Sequence, residues 1–152
     1  MGCYADKAVQ LFEEGYNCSQ SVFAAFADRY GIDRELALRL SASFGGGMGR
    51  MREVCGAVSG MLLVAGLETG TVTGSDREGK AANYAEVQEL AEGFCRKKGS
   101  IICRELLGLE EKSGRDSGMS HVPEERSEKY YAERPCPGLV RCAAEILEER
   151  YM

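Results

Sequence analysis

The spacing of apolar residues constrains the fold of this chain more than any other feature. Within each long segment they recur every three or four residues, which is the pattern of one buried helix face. Ala8, Leu11 and Phe12 show this spacing in the first segment. No segment alternates apolar and polar residues over the length of a strand. The sequence therefore predicts an all-α fold, a compact helical bundle built as a single domain over residues 1–152.

Residues that favour helix ends divide this bundle into its elements. Asn17 and Asp33 are candidate N-caps, because their side-chain oxygens accept hydrogen bonds from the first turn of a helix. Gly31 is a candidate stop between the two helices that they begin. The polar stretch at about 109–123 is expected to be a mobile loop. Three apolar side chains of the helix after Asp33 are predicted to face inward: Leu36, Leu40 and Phe44.

The charge of the chain excludes several classes of partner. Asp and Glu number 24 against 19 Lys and Arg, for a net charge of −5. Such a surface favours neither nucleic acid nor an anionic membrane. The longest apolar run, VSGMLLVAGL, has about ten residues, roughly half of what a bilayer span needs. The first segment carries acidic residues and lacks the apolar core of a signal peptide, so a cytoplasmic location is expected.

Seven cysteines in a chain expected in a reducing compartment indicate metal or redox chemistry more than structural disulfides. Their odd number excludes a complete set of intramolecular disulfides. Four of them fall at predicted helix N-termini: Cys18, Cys55, Cys103 and Cys136. The helix dipole and free N–H groups at such positions stabilise a thiolate. Four thiolates are the usual ligands of an iron–sulfur cluster or a structural zinc ion.

The spacing of the cysteines leaves a simpler interpretation open. The chain has no C-x-x-C motif, so the zinc-ribbon and thioredoxin-type patterns are absent. Cysteine is also a small, frequently buried apolar residue. This interpretation suits Cys3, Cys95 and Cys142 best and is an alternative for the other four. His121, the single histidine, lies in the polar stretch and is expected to be solvated.

A glycine-rich block, FGGGMGRMREVCG, directly precedes Cys55. It does not match a dinucleotide-binding motif, because Arg50 stands where the third glycine belongs and no strand comes before it. Glycine does allow a backbone to approach a sulfur or a cofactor closely. Arg50 and Arg52 are suited to neutralise thiolates or to hold a small anion. Four glycines are candidate cofactor-binding residues: Gly45, Gly46, Gly47 and Gly56.

Four stretches of the chain resemble the C_GCAxxG_C_C family, which is described as redox-active. They are YNCSQSVFAAFAD, FGGGMGRMREVCGAVSGMLLVAGL, IICRELLG and CPGLVRCAAEIL. The resemblance extends roughly from Ala5 to Leu147, and the glycine block is its most specific part. This chain reads Cys-Gly-Ala where the family label reads Gly-Cys-Ala. The residues that match the family's four cysteines are Cys18, Cys55, Cys103 and Cys136.

The resemblance implies a small redox or electron-transfer protein. A related domain of split-Soret cytochrome c carries an iron–sulfur cluster, so the four cysteines are expected to ligate one here, with [2Fe–2S] favoured. The haem function is not implied, because the chain has no C-x-x-C-H motif. Two alternatives remain, a metal-free dithiol–disulfide redox protein and a zinc-stabilised interaction module. The redox partner is unknown, and the small residues Gly56, Ala57 and Gly60 suggest a helix face that packs against a second copy in a homodimer.

Overall fold

Helices form the framework of the protein in a computed structural model that describes residues 2–109 and 120–152. The all-α prediction is confirmed. In these residues the only β-type pairing is an isolated antiparallel bridge between Val54 and Ile102. The helices are α1 (Cys3–Glu13), α2 (Cys18–Ala27), α3 (Arg34–Ser41), α4 (Gly45–Met48), α5 (Gly56–Thr69), α6 (Arg77–Lys98), α7 (Cys103–Leu106), α8 (Glu128–Glu133) and α9 (Cys136–Tyr151).

The hydrophobic core lies where α1, α2, α5 and α9 meet. Helix α2 packs against α5 and α1, α1 packs against α9, and α6 covers α5 and α9. Each helix contributes large side chains to this core, and removing their apolar surface from water is the main stabilising contribution. The largest fully buried ones include Phe12, Phe23, Phe26, Met61 and Phe94.

The predicted helix ends are confirmed, and they fix the start of α2 and α3. The Asn17 side chain accepts the N–H of Gln20 at 2.9 Å, and the Gln20 side chain accepts the N–H of Asn17 at 3.1 Å. This reciprocal pair is a capping box. Asp33 accepts the N–H of Leu36 at 3.1 Å. Gly31 has the left-handed backbone, with φ of 71°, that ends the segment before it.

The orientation of α3 corrects the sequence prediction. Leu36 and Leu40 are 46% and 48% exposed, so the prediction that they face inward is wrong. Ala37 and Ser41 are fully buried instead. These small side chains let α3 lie close to α2, and the Ser41 hydroxyl is satisfied by the carbonyl of Ala37 at 2.8 Å. The close packing of α3 on α2 therefore buries the face that carries Ala37 and Ser41, and the larger side chains of Leu36 and Leu40 stay partly exposed.

The predicted loop at about 109–123 is only partly described. Residues 110–119 lie outside the described residues, and the mobility of the stretch remains a prediction. Residues 120–123 are non-helical and exposed, as expected for His121. Within the described ranges, no helix has both the length and the hydropathy needed to span a bilayer.

A buried carboxylate joins the two ends of the chain. Glu148 of α9 is 8% exposed and accepts the backbone N–H groups of Tyr4 at 2.8 Å, Ala5 at 3.1 Å and Gly2 at 3.2 Å. A helix leaves its first N–H groups without partners inside the helix, and its dipole favours a negative charge there. Glu148 therefore caps α1 from a helix 143 residues away in sequence.

We expect Glu148→Gln to lower the free energy of unfolding by about 1–2 kcal/mol, because the amide loses the charge and one of the two acceptor oxygens. Urea unfolding of the full chain measures this. Glu145→Gln is the matched control on the same helix, since the Glu145 side chain is 46% exposed and its ion pair with Arg141 is long at 3.9 Å. We expect the control to change stability by less than about 0.5 kcal/mol. Equal losses in the two variants would contradict the cap.

Candidate functional site

Four cysteines line one cavity of about 270 Å³. Cys18, Cys103 and Cys136 are the first residues of α2, α7 and α9, and Cys55 is the N-cap of α5. All four are buried, with exposures between 3% and 9%. The prediction that these cysteines occupy helix N-termini is confirmed, and the fold brings the four elements together at one place.

A short backbone bridge places Cys55 beside Cys103. The N–H of Cys55 donates to the carbonyl of Ile101 at 2.7 Å, and the N–H of Cys103 donates to the carbonyl of Glu53 at 2.6 Å. These bonds flank the antiparallel bridge between Val54 and Ile102. Two cysteines that are 48 residues apart in sequence are thereby held on neighbouring extended segments.

Glycines on α5 bring Cys18 close to Cys55. A Cβ atom on Gly56 would lie 3.2 Å from the Cβ of Cys18 and 3.0 Å from the carbonyl oxygen of Phe44. On Gly60 it would lie 2.8 Å from the carbonyl oxygen of Ser19. Helix α5 can therefore approach the N-terminus of α2 only because these positions lack side chains. This contact lies within one chain, and the homodimer remains a prediction.

The glycine block forms a left-handed turn. Five consecutive residues have positive φ angles, from Gly46 at 70° to Arg50 at 69°, and Arg52 follows at 61°. Helix α4 is thus a single left-handed turn rather than a regular α-helix. Such a backbone costs glycine little, but costs other residues about 1–2 kcal/mol each. Met48, Arg50 and Arg52 carry that cost, and backbone strain of this kind tends to collect at functional sites.

The candidate glycines each lie close to a different residue. A Cβ atom on Gly47 would lie 2.7 Å from the Cβ of Cys103, so the block passes closest to Cys103 rather than Cys55. A Cβ atom on Gly45 would overlap the Asn17 side chain at 2.3 Å. Three of the candidate glycines line the cavity: Gly45, Gly46 and Gly56. A cofactor-binding role for all four remains a prediction.

Four arginines surround the cysteines in the same cavity: Arg50, Arg52, Arg126 and Arg134. Arg52 is 4% exposed, and its Nη1 donates to the sulfur of Cys103 at 3.5 Å. Arg134 pairs with the carboxylate of Glu124. Burial, together with the positive charges of Arg52 and Arg134, lowers the pKa of Arg50. Positive charge therefore collects around the thiols of a chain that is acidic as a whole.

One wall of the cavity consists of residues that sequence reasoning missed. Glu124, Arg126, Tyr130 and Arg134 come from the segment before Cys136, and His121 stands in the same wall. The available signal was the pair of tyrosines at 130 and 131, flanked by arginines in an otherwise polar stretch. This signal indicates that the segment packs against another part of the protein, but it does not identify that part.

The four thiols lie on the walls of the cavity. Among the residues that the structure describes, no three cysteine, histidine or carboxylate side chains form a group able to hold a metal ion. A zinc ion bound by four sulfurs at about 2.3 Å needs them roughly 3.8 Å apart. The predicted zinc module thus has no preformed centre in that part of the chain. Of the other cysteines, Cys3 and Cys95 are exposed, and Cys142 is buried but does not line the cavity.

Comparison with protein families identifies the chain. Residues 16–150 match the family model described as "Putative redox-active protein (C_GCAxxG_C_C)". The protein belongs to the C_GCAxxG_C_C family. The matched region contains all four cavity cysteines. Comparison with curated proteins and with solved structures gave no match. The relation to split-Soret cytochrome c remains a prediction.

The sulfurs of Cys18 and Cys136 form a hydrogen-bonded pair in this C_GCAxxG_C_C protein. The Cys18 thiol donates to the sulfur of Cys136, and this bond lowers the pKa of Cys136 to about 7, with help from the nearby arginines. The same bond, together with burial, raises the pKa of Cys18 well above its ordinary value. When the pair loses one of its two protons, the remaining proton therefore stays on Cys18 and the thiolate forms on Cys136.

The other two cavity thiols are held in their protonated form by burial. Burial raises the pKa of Cys55 to about 12, although hydrogen bonds from the backbone N–H groups of Val58 and Ala57 act in the opposite direction. Burial also raises the pKa of Cys103, which the hydrogen bond and charge of Arg52 partly offset. Of the four sulfurs in the reduced site, Cys136 is thus the one that ionises most readily.

In reduced, metal-free protein we expect the alkylation rate of Cys136 to rise with pH through a midpoint near 7, because the thiolate is the nucleophile. Over the same range Cys55 should stay protonated and show no midpoint below pH 9, since its pKa is about 12. Peptide mass spectrometry after short pulses of iodoacetamide measures both.

Cys18→Ala is the control for the origin of this shift. It removes the donor that stabilises the Cys136 thiolate, so the Cys136 midpoint should move to higher pH. A midpoint at the ordinary value of 9.0 in the unsubstituted protein would contradict the thiol–thiolate pair.

Proposed function

We propose that this protein is a redox protein that transfers electrons through an iron–sulfur cluster held by Cys18, Cys55, Cys103 and Cys136. The observation that carries the proposal is that four buried cysteines from four helix N-termini line a single cavity. The [2Fe–2S] type is favoured by the resemblance in sequence. We further propose that it works in the cytoplasm, where its thiols stay reduced, with a redox partner that is still to be identified.

The chemistry of the donor set supports this choice over a zinc ion. Four cysteine thiolates are the standard ligands of such clusters. A cluster distributes them over more than one iron, so the sulfurs bound to different irons lie farther apart than those around a single metal ion. Thiols on the walls of a cavity suit the wider arrangement, as does the room of about 270 Å³ between them.

The charges around the cavity support an anionic occupant. Three of the four thiols must lose protons that are retained in the free site, by the bond to Cys136 at Cys18 and by burial at Cys55 and Cys103, and each lost proton leaves a negative charge. The four arginines compensate these charges, and Arg52 already contacts the Cys103 sulfur at 3.5 Å. When bound, a cluster accepts and releases single electrons, and hydrogen bonds to its cysteine sulfurs adjust its reduction potential. Arg52 and the N–H groups of Ala57 and Val58 are the donors here.

Anaerobic reconstitution of the full chain with iron and sulfide tests the proposal. We expect charge-transfer absorption in the visible range, with iron and sulfide in equal amounts. Cys55→Ser should lose most of this absorption. Cys142→Ser is the matched control, because Cys142 is buried outside the cavity and should leave the spectrum unchanged.

Three results would count against the cluster. An unchanged spectrum in Cys55→Ser would refute the ligand assignment. Zinc bound without colour would favour the zinc module. A reduced protein that takes up neither metal would favour a metal-free protein.

A second candidate function is supported by the pair of Cys18 and Cys136. Their hydrogen bond brings two thiols into contact, with the thiolate on Cys136. In a metal-free dithiol protein, the Cys136 thiolate attacks a sulfur of a substrate disulfide and releases one thiolate from it. Cys18 then loses its proton and attacks Cys136, which forms the intramolecular disulfide and releases the second thiolate. The protein gives up two electrons, and the substrate disulfide is reduced to two thiols.

Oxidation of metal-free protein with glutathione disulfide tests this candidate. Differential alkylation should show that Cys18 and Cys136 become protected together and that dithiothreitol restores both. Cys55→Ser should leave this pair intact, whereas Cys136→Ser should abolish it. Protection of a different pair, or of none, would exclude the assignment, and the assay does not depend on iron.

A further inference from the structure

Residues 120–134, here called the cover segment, close one side of the cysteine cavity. They contribute Glu124, Arg126, Tyr130 and Arg134 to its lining. The outer side chains of the segment are exposed, while the cavity cysteines are at most 9% exposed. A molecule that approaches the cysteines from this side meets the cover segment first.

The cover segment is attached to the rest of the protein by few side chains. Eleven of its fifteen residues are exposed. The four that are partly buried are Arg126, Tyr130, Tyr131 and Arg134. Segments that bury little apolar surface open locally at a lower free energy than global unfolding requires. The cover segment is therefore a part of the fold that can open by itself.

Arg126 makes the most extensive of these attachments. Its Nη1 donates to the carbonyl of Phe12 at 2.8 Å, and its Nη2 donates to the carbonyl of Tyr16 at 2.9 Å. These carbonyls lie at and just beyond the C-terminal end of α1, where the helix dipole favours a positive charge. One planar guanidinium thus ties the cover segment to the backbone of α1 at two points.

The same guanidinium holds aromatic rings in place over the site. Its carbon lies 4.2 Å from the ring centre of Phe12 and 5.0 Å from that of Tyr130. Tyr130 lines the cavity beside Cys136, and burial, with the negative charge of the Cys136 thiolate, raises the pKa of Tyr130 to about 12. Arg126 therefore fixes the ring that stands next to the reactive sulfurs.

From these contacts we infer that Arg126 is the positioning residue that keeps the cover segment closed over the four cysteines and so controls their access to solvent. Two further contacts retain the segment near the site without Arg126. The Nε of Arg50 donates to the carbonyl of Ser120 at 2.6 Å, and the Tyr131 hydroxyl donates to the carbonyl of Glu13 at 3.2 Å. Loss of Arg126 should therefore loosen the cover and leave the helical core folded. The inference holds whether the cysteines bind a cluster or act as a dithiol.

Alkylation rates of single cysteines in the reduced, metal-free full chain test this inference. With Arg126→Met, we expect Cys18, Cys55, Cys103 and Cys136 to react with N-ethylmaleimide roughly ten- to hundredfold faster, because two hydrogen bonds and the cation–π contacts are lost. Arg126→Lys keeps the charge but lacks the two separate nitrogens that reach the two carbonyls, so its rates should fall in between.

The remaining cysteines provide controls within the same molecule. Cys142 is 5% exposed but does not line the cavity, so it reports global unfolding, whereas Cys3 is exposed and reports reagent activity. Neither rate should change. Arg34→Met is the matched substitution, because Arg34 stacks on Tyr16 at 5.4 Å at the same end of α1 without reaching the cavity.

Two outcomes would overturn the inference. In the first, the cavity cysteines of Arg126→Met react at the same rate as in the unsubstituted protein. In the second, Cys142 accelerates by the same factor as they do, which would assign Arg126 a purely structural role. Because no metal takes part, a failed reconstitution of the cluster would leave this test unaffected.

Discussion

The close approach of helix N-termini is the constraint on which the rest of the structure depends. Gly56 and Gly60 let the start of α5 lie against the start of α2, and Gly47 lets the left-handed turn pass behind Cys103. With a side chain at any of these positions, Cβ atoms would collide with backbone or with a cysteine. Four helices from different parts of the chain therefore begin at one cavity, and each brings a cysteine.

That convergence creates an electrostatic conflict, which the site resolves with arginines. Burial raises the pKa of Cys55 and Cys103 and thereby opposes thiolate formation, while helix N-termini and guanidinium groups favour it. In the reduced, metal-free site the balance leaves a thiolate at Cys136, which is closest to a thiol donor. A site of this kind stabilises thiolates, which are needed both to ligate iron and to exchange disulfides.

Access of solvent and of partners to the cavity cysteines is governed by a different part of the chain, the cover segment. The cover segment buries little of itself and is tied to α1 by Arg126, whereas the helical core beneath it is joined by extensive apolar packing and by Glu148 at the chain ends. Because of this contrast in packing, the cover segment should open at a lower free energy than the helical core needs to unfold. A redox site needs both, because its ligands must be held rigidly while a partner must still reach them.

The sequence by itself determined the helices, their caps and the position of four cysteines at helix starts, because apolar spacing and capping are local properties that a short stretch of residues carries. Tertiary structure alone decided which face of α3 is buried, that the glycine block approaches Cys103, and that Cys18 pairs with Cys136. It also brought Arg126 and Tyr130 to the cavity from a stretch that reads as a polar loop. Apart from the packing of α3 on α2, these features depend on contacts between residues 50 to more than 100 positions apart, for which no local pattern exists.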